Sequence, residues 1–249
     1  MSERDKTIVV VVAYNAAHTL KWVIDDIPKD VVDEILVVDD ASADNTAQVA
    51  LQLPVKLLVA DHNRGYGGNQ KSAYREALDR GAEYVVMIHG DYQYDARMVG
   101  AAVDIIRTGN CDVVLGNRIR TRAEALAGGM PRIKYFANRG LTIIENVLSG
   151  QNLGEWHSGF RAYSRDVLET IPFERNSDDF VFDSQFLIQC VHFGFKMGDI
   201  PVPVRYFDEA SSINLLASSK YALDTLRHFG LWFLHKWRIV KIPLFMPGD

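Results

Sequence analysis

The stretch YVVMIHGDYQYD, residues 84–95, joins an apolar run to a polar segment. Its first five residues are rich in valine and bulky apolar side chains, which is typical of a buried strand. His89, Gly90 and Asp91 follow directly, and Asp95 comes soon after. Because a buried strand needs neither a histidine nor a carboxylate at its end, these residues indicate a functional site.

Similar apolar runs recur along the chain and alternate with segments of helical character. The other runs are TIVVVVAY, EILVVDD, VKLLV and CDVVLG, and the helical segments lie near residues 17–27, 44–51, 68–80 and 96–107. Continuous apolar strands indicate burial on both faces, so the pattern predicts an α/β fold with a doubly wound, mostly parallel sheet. The alternation fades after Gly116, where we place a boundary between a first half, about residues 1–116, and a second half, residues 117–215.

The composition narrows the function classes. A chain of 249 residues with 48% hydrophobic content can bury a full core. A net charge of −5 argues against nucleic acid as the main partner, since phosphate binding needs a basic face. Cys111 and Cys190 lack metal-site spacing and suit reduced core thiols in the cytoplasm. No window holds about 18 uninterrupted apolar residues, so we predict no transmembrane helix.

The C-terminal tail, residues 216–249, interleaves aromatic and leucine residues with basic ones, as in HFGLWFLHKWR. One interpretation is an amphipathic helix that lies at a membrane interface, at the cytoplasmic face. The other is a helix that packs on its own domain. The sequence supports both.

Polar residues follow four of the predicted strands. Ligands of such sheets bind beyond the carboxyl ends of the strands, where this chain carries Tyr14-Asn15, Asp39-Asp40, His89-Gly90-Asp91 and Asn117-Arg118. Carboxylates that meet at one sheet edge repel each other unless a divalent cation or ligand donors offset the charge. Oxygen ligands favour Mg²⁺ or Mn²⁺, which commonly bridges a carboxylate and substrate phosphates.

Two common nucleotide motifs are missing from the sequence. There is neither a GxxxxGK[ST] loop nor a GxGxxG turn after the first strand. The glycine-rich stretch NRGYGGNQ, residues 63–70, follows the third strand instead. Its glycines would let the backbone approach a ligand, and Lys71 could add charge to a bound phosphate; the alternative is a plain glycine-rich turn into a helix.

Several segments together resemble one enzyme family. VVVAYNAAHTL, EILVVDDASADNT, NRGYGGNQKSAYREAL, MIHGDYQYD, VLGNR and SGFRAYSRDVL, in this order, are similar to the inverting family-2 glycosyltransferases of the GT-A fold. Within that family the chain resembles the dolichyl- and polyprenyl-phosphate sugar synthases, from about Ile8 to Tyr206. The resemblance implies a nucleotide-sugar-binding half, an acceptor half and transfer of a sugar from a GDP- or UDP-sugar.

The resemblance also implies roles for residues of the first half. Tyr14, Asn15, Asp39 and Asp40 would hold the nucleotide, with Asp40 in direct contact. Asp91 matches the last aspartate of the family's Asp-X-Asp motif and would bind the Mg²⁺ or Mn²⁺ of the donor diphosphate.

His89 departs from that motif, because it stands where relatives usually carry the first aspartate. We expect its imidazole to contact the nucleotide or a bound water rather than the metal. Gly90 lies between these two residues. We expect Asp95 to cap the following helix.

In the second half, Glu155 stands where relatives carry the aspartate of Asp-X-X-Ser/Thr-Gly, and it is the candidate to face the reacting carbon or the acceptor. For a hydroxyl acceptor, Asp183 or Glu155 could serve as the base. A lipid-phosphate acceptor is already an anion and needs cations instead, for which the chain offers Arg118, Arg161 and Arg205.

The acceptor and the reaction class remain open at this stage. The acceptor could be a polyprenyl or dolichyl phosphate, or a saccharide or small-molecule hydroxyl. A nucleotidyltransferase would also use carboxylates at the strand ends to bind a metal. It would, however, carry a glycine-rich basic loop after the first strand, which AYNAAHTL does not provide. A non-catalytic nucleotide-sugar-binding protein would bind the donor without consuming it.

Overall fold

The structure, a computed structural model, describes residues 5–202, 204 and 215–248, with residues 215–217 described by their backbone alone. Its strands are β1 Thr7–Ala13, β2 Glu34–Asp39, β3 Lys56–Val59, β4 Tyr84–His89, β5 Val113–Asn117, β6 Arg161–Ser164 and β7 Met197–Pro201. They form one sheet of seven strands in the order β3-β2-β1-β4-β6-β5-β7. Only β6 runs antiparallel to its neighbours among these pairs, so the predicted mostly parallel sheet is confirmed.

Helices cover both faces of the sheet. They are α1 Leu20–Asp26, α2 Thr46–Ala50, α3 Gly65–Asp79, α4 Val99–Arg107, α5 Arg122–Ala127, α6 Arg132–Ser149, α7 Arg165–Thr170, α8 Phe182–Phe193 and α9 Leu215–Lys236. Short 3-10 helices span Ala96–Met98, Phe173–Arg175 and Pro243–Phe245. The predicted helical segments of the first half are therefore confirmed, with ends shifted by a few residues.

The strands are buried on both faces, as the apolar runs predict. In β1, Ile8 and Val10 pack into the core on one face of the sheet, whereas Val9 and Val11 pack into the core on the other. Strand β6 comes from the second half of the sequence and pairs between β4 and β5 of the first half. The two sequence halves thus contribute to one sheet, which brings their strand ends to a common edge.

The glycine-rich stretch is not a loop, because α3 begins within it at Gly65. A side chain on Gly67 would collide with the carbonyl oxygen of Ser177, and Gly67 N donates to Asp178 O at 2.8 Å. Gly67 therefore lets the helix approach another segment of the protein rather than a ligand.

The tail packs against the domain through much of α9. Phe229, Trp232 and Phe245 are buried in the main core, and α9 is joined to α8 by a hydrogen bond of 2.8 Å between Gln185 Nε2 and His228 Nε2. Packing on the domain, one of the two interpretations of the tail, is therefore confirmed for this face of the helix. In the described part of the chain, no helix has both the length and the apolar character needed to cross a membrane.

Candidate active site

A cleft of about 1060 Å³ opens at the carboxyl ends of the central strands. Seven of the predicted site residues line it: Tyr14, Asp40, His89, Gly90, Asp91, Arg118 and Asp183. Five others do not: Asn15, Asp39, Lys71, Glu155 and Arg161. Arg205 lies outside the described residues. The cleft also reaches α6 and the start of α9, so both sequence halves and the tail contribute to its walls.

Asp40 lies where β2 meets the start of α3. Its carboxylate accepts hydrogen bonds from the backbone N–H groups of Arg64 at 2.7 Å and Gly65 at 3.0 Å. Burial raises the pKa of Asp40, and these two backbone donors act in the opposite direction. The contacts fix the carboxylate at the edge of the cleft, beside the positive end of the α3 dipole.

Asp39 and Asn15 hold the loops around the cleft together rather than lining it. The buried Asp39 carboxylate accepts from the hydroxyl of Ser42, and Ser42 Oγ accepts from the backbone N–H of Asn15 at 2.8 Å. The side chain of Asn15 in turn accepts from Ala43 N at 2.9 Å. Neither Asn15 nor Asp39 lines the cleft, so their predicted part in holding the nucleotide stays a prediction, whereas the adjacent Tyr14 lines the cleft and is half-exposed.

Lys71 faces away from the cleft. Its ammonium group donates to the backbone oxygen of Asn176 at 2.5 Å and to Asp178 Oδ1 at 2.6 Å. Because these two acceptors hold the charge within the fold, the structure does not support the predicted contact between Lys71 and a donor phosphate.

His89 belongs to a hydrogen-bonded chain that the sequence did not reveal. Its Nε2 lies 3.0 Å from the hydroxyl of Tyr66, which donates to Asp183 Oδ2 at 2.9 Å. Since the single hydroxyl proton goes to the carboxylate, we assign the Nε2 proton to His89. Burial lowers the pKa of His89, against the opposing effect of Asp91, and this keeps the imidazole neutral near pH 7.

Gly159 leaves room for the imidazole ring of His89, because it has no side chain. A Cβ atom at Gly159 would overlap the His89 ring, and the Gly159 N–H donates to the Tyr94 hydroxyl at 2.7 Å. The SGF sequence around Gly159 is thus required for close approach of the second half to the end of β4.

Asp183 lines the cleft and is fixed from behind by Arg161. Arg161 Nη2 lies 3.0 Å from Asp183 Oδ2, and Gln70 Nε2 donates to Asp183 Oδ1 at 3.0 Å. Arg161 is fully buried and also donates to Ser158 O at 2.8 Å. The predicted catalytic role of Arg161 is therefore replaced by a positioning role, because its guanidinium reaches Asp183 rather than the cleft.

Glu155 and Arg118 form a second pair of the same kind. The fully buried Glu155 carboxylate accepts from Arg118 N at 2.8 Å, from Arg118 Nε at 2.7 Å and from Arg118 Nη2. Burial alone would raise the pKa of Glu155, but the Arg118 guanidinium holds it below its ordinary value. Glu155 was predicted to face the reacting carbon or the acceptor, but it does not line the cleft. It orients Arg118 instead, and Arg118 does line the cleft.

Several cleft residues escaped the sequence analysis. Lys134 of α6 lines the cleft, and its pKa is lowered by burial and by the nearby Arg118 guanidinium. Tyr66 also lines the cleft and stacks on Phe180 with ring centroids 5.0 Å apart. The tyrosine between the glycines of NRGYGGNQ was a usable signal for Tyr66, whereas the sequence around Lys134 carries no comparable motif.

The donor set suits a divalent cation that arrives with its substrate. Asp91 lines the cleft, and its Oδ1 accepts from Gln93 N at 3.1 Å. The described residues contain no group of three or more His, Cys, Asp or Glu side chains that could hold a metal. Mg²⁺ often binds through one or two carboxylates together with water and substrate phosphates. Asp91 fits that mode, in which the diphosphate supplies the remaining charge.

The predicted cap at Asp95 is confirmed. Its side chain accepts from Arg97 N at 3.1 Å at the start of the 3-10 helix Ala96–Met98, and it does not line the cleft. Of the other second-half aspartates, Asp179 lines the cleft, whereas Asp178 forms an ion pair with Lys71.

His157 also lines the cleft, and its Nδ1 lies 3.1 Å from the Tyr221 hydroxyl of α9.

Comparison with known proteins gives consistent matches. Residues 8–172 match the family described as Glycosyl transferase family 2. A UDP-N-acetylglucosamine–dolichyl-phosphate N-acetylglucosaminyltransferase of Methanococcus voltae is 25% identical over 87% of this chain and 93% of its own length. A dolichyl-phosphate hexose transferase of Haloferax volcanii is 29% identical over 81% of this chain and 83% of its own length.

A solved structure shares the fold. Glucosyl-3-phosphoglycerate synthase of Mycobacterium tuberculosis, in complex with Mn²⁺, UDP-glucose and phosphoglyceric acid, superposes with a TM-score of 0.70 at 21% identity. The match covers 90% of this chain and 79% of the synthase. The predicted GT-A fold is thereby confirmed.

Proposed function

The chain belongs to glycosyl transferase family 2, and from that membership we propose that it transfers a sugar from a nucleotide-diphosphate sugar to a polyprenyl or dolichyl phosphate. The observation that carries the choice of acceptor is one wall of the cleft. There the cationic side chains of Arg118 and Lys134 adjoin apolar positions of α6, namely Ile133, Ala137 and Leu141. A phosphate attached to a prenyl chain offers matching charge and apolar surface.

The opposite wall suits the donor. Tyr14, Asp40 and Asp91 line the cleft. In the proposed complex, Tyr14 and Asp40 contact the nucleoside, and Asp91 would hold Mg²⁺ or Mn²⁺ on the diphosphate. A bound divalent cation would neutralise charge on the departing nucleoside diphosphate. The neutral His89 adds a polar contact without another negative charge, which lowers repulsion toward the donor.

In the proposed reaction, an acceptor phosphate oxygen forms a bond to the anomeric carbon of the sugar. The bond from that carbon to the nucleoside diphosphate breaks, the electron pair leaves with the diphosphate, and the configuration inverts. Because the phosphate nucleophile is already an anion, no side chain has to remove a proton. Arg118, oriented by Glu155, holds the acceptor phosphate and offsets repulsion between acceptor and donor.

A hydroxyl acceptor is the second candidate, and Asp183 favours it. Its carboxylate faces the cleft and is held by Arg161, Gln70 and Tyr66. A fixed carboxylate at this place would accept the proton of a saccharide or small-molecule hydroxyl. Two relatives named for dolichyl-phosphate acceptors support the first candidate over this one.

The test compares matched acceptors in detergent. A short prenyl phosphate, the corresponding prenol and a soluble sugar are each incubated with UDP-glucose, UDP-N-acetylglucosamine or GDP-mannose, with Mn²⁺, with Mg²⁺ or with chelator. We expect product from the prenyl phosphate alone, with one donor, and only with metal. Product from the prenol or the sugar would favour the hydroxyl acceptor.

The variant Arg118→Gln separates recognition of the acceptor from recognition of the donor. We expect a higher KM for prenyl phosphate and unchanged calorimetric affinity for the nucleotide sugar. Donor binding without any turnover in the wild-type protein would instead support a non-catalytic nucleotide-sugar-binding role.

A further inference from the structure

Helix α6 is oriented with its polar side inward. A helix on a protein surface normally turns apolar side chains toward the core and polar ones toward water. In α6 the two fully buried side chains are Thr142 and Glu145. Apart from Arg132 at its first position, its large exposed side chains are all apolar: Ile133, Phe136, Ile143, Ile144 and Val147.

The inner face of α6 is held by polar contacts. Asn138 Nδ2 donates to Glu155 Oε1 at 2.9 Å, and Asn146 Nδ2 donates to Leu153 O at 2.8 Å. The buried Glu145 carboxylate lies 3.0 Å from His157 Nε2. These contacts fix the rotation of the helix, so the apolar row cannot turn inward without breaking them.

The outer row follows the helical repeat over the full length of α6. Its members are spaced by three, seven, one and three residues from Ile133 to Val147, which places them along one side of the helix. The row begins at the mouth of the cleft, since Ile133 and its neighbour Lys134 line it. A contiguous exposed apolar surface of this kind marks an interaction site.

The segment that follows α9 lies close to the C-terminal end of α6. A depression of about 520 Å³ is lined by Ser149 at the end of α6 and Gln151 beyond it, and by Lys236 at the end of α9 and Arg238 beyond it. Beside it Trp237 and Ile239 are exposed by 65% and 63%. The C-terminal end of α6 therefore lies near a segment that carries exposed apolar and basic side chains.

We propose that this surface, the outer row of α6 together with Trp237 and Ile239, docks on a bilayer that contains anionic lipids. The choice of a bilayer rests on the proposed prenyl phosphate acceptor, which resides in one. The surface would place the cleft mouth at the lipid headgroups, where the acceptor phosphate lies. It also accounts for the exposed aromatic and basic side chains between α9 and the buried Phe245.

Charge favours a bilayer over a second copy of the chain. The protein carries a net charge of −5. The first turn of α6 nevertheless carries Arg132 and Lys134, and the segment around Trp237 and Ile239 carries Lys236, Arg238 and Lys241. Glu145, the one acidic residue of α6, is buried. Basic side chains beside an apolar helix face favour binding to anionic lipid. Two negatively charged copies would have to bring these same basic side chains together.

Vesicle sedimentation with matched variants tests the proposal. The test protein is Ile143→Glu/Val147→Glu, whose residues are 57% and 77% exposed and do not line the cleft. The control is Val59→Glu/Leu51→Glu, whose residues are 50% and 74% exposed on β3 and after α2. Both double variants add two negative charges at exposed apolar positions. A difference in vesicle binding between them therefore reports the position of the substitutions and not the added charge.

We expect the wild-type protein and the control to sediment with phosphatidylglycerol vesicles and to bind phosphatidylcholine vesicles more weakly. The α6 variant should lose about tenfold or more in its partition coefficient. Equal sedimentation of the two variants, or no binding by the wild-type protein, would overturn the proposal. So would a wild-type dimer in sedimentation velocity that the α6 variant converts to a monomer.

The transfer assay in detergent separates this proposal from the proposed function. With prenyl phosphate in micelles, the α6 variant should retain wild-type kcat, because its substitutions leave the cleft intact. If no protein transfers sugar to prenyl phosphate while vesicle binding still depends on α6, the acceptor assignment fails and the docking surface stands. If transfer occurs while vesicle binding ignores α6, the surface fails alone.

Discussion

The two walls of the cleft position their charged groups in different ways. On the wall proposed to bind the donor, here called the donor wall, Asp40 follows β2 directly and Asp91 lies two residues after β4. Backbone N–H groups hold both carboxylates. On the acceptor wall, Arg118 and Asp183 each depend on a fully buried side chain of opposite charge, Glu155 and Arg161 respectively. Strand topology positions the first set, whereas buried ion pairs position the second.

This difference changes how the charged residues of the sequence motifs are interpreted. On the acceptor wall, the motif charges in EWHSGFR lie one layer behind the cleft and act through a partner that does line it. Removing a buried partner should therefore affect both stability and acceptor binding. Removing a donor-wall carboxylate should affect donor binding with little effect on stability.

The largest effect is expected at the donor wall from Asp91→Ala. Loss of the carboxylate placed for the metal should lower kcat/KM by about 10³-fold. Calorimetric titration with a nucleotide sugar should lose its dependence on Mn²⁺. Asp95→Asn is the control, since Asp95 caps a 3-10 helix outside the cleft. An unchanged metal response in Asp91→Ala would remove Asp91 from the ligand role.

On the acceptor wall, Glu155→Gln should lower the free energy of unfolding by about 3 kcal/mol at neutral pH, because Arg118 loses its buried counter-charge. The lowered pKa of Glu155 means that its ionised form stabilises the fold. That contribution is complete above the unfolded-state pKa of about 4.3 and is lost as the pH falls through the lower folded-state value.

Denaturant unfolding of both proteins across this acidic range measures the difference. The gap between wild type and Glu155→Gln should narrow on the acid side. A gap that stays constant with pH would show that Glu155 stabilises the fold by packing rather than by charge. Nucleotide-sugar affinity should be equal in the two proteins, whereas the KM for prenyl phosphate should rise.

Tyr66 joins the two walls, and Tyr66→Phe tests the connection. Its hydroxyl bridges His89 and Asp183, and the loss of one such group costs about 1 kcal/mol, or roughly a fivefold to tenfold fall in kcat if it acts in the transition state. Tyr92→Phe removes a hydroxyl that bonds Asp26 away from the cleft. Equal kinetic effects in both variants would mean that the bridge has no specific role.

The smallest functional effect is expected from Lys71→Met. Its ammonium is bound to Asn176 O and Asp178, and the Lys71 side chain is 10% exposed against 66% for Asp178. Because solvent screens the exposed carboxylate, the loss of stability should be about 1 kcal/mol. Calorimetry should detect no change in nucleotide-sugar affinity. A clear loss of affinity would indicate that Lys71 contacts the donor phosphate, as the sequence predicted.

The donor wall was largely predictable from the sequence. Short apolar runs fix strands, and parallel strands bring their carboxyl ends to one edge, so Asp40, His89 and Asp91 were expected to meet there. Asp39, Asn15 and Lys71 were also expected there, but they do not line the cleft. Each carries a suitable polar group, but each group is bound by another part of the protein. Lys71 donates to Asn176 O, which lies far away in sequence, and Asp39 and Asn15 accept from Ser42 and Ala43 in the loop after β2.

The acceptor wall was predictable only in part. Sequence reasoning selected Arg118 and Asp183, which line the cleft, together with Glu155 and Arg161, which do not. Residue type alone could not separate a charge that faces a substrate from a charge that positions it. Lys134 and the outward apolar row of α6 were missed because the sequence of an amphipathic helix does not show which of its two sides faces the core.

The sequence by itself determined the family resemblance, the strand order along the chain and the edge at which carboxylates gather, because local periodicity and parallel topology suffice for these. Only the tertiary structure decided which member of each charge pair reaches the cleft, how α6 is rotated and which face of α9 is covered. Those outcomes depend on contacts between residues far apart in sequence, such as Arg118 with Glu155 and Arg161 with Asp183, which no local pattern encodes.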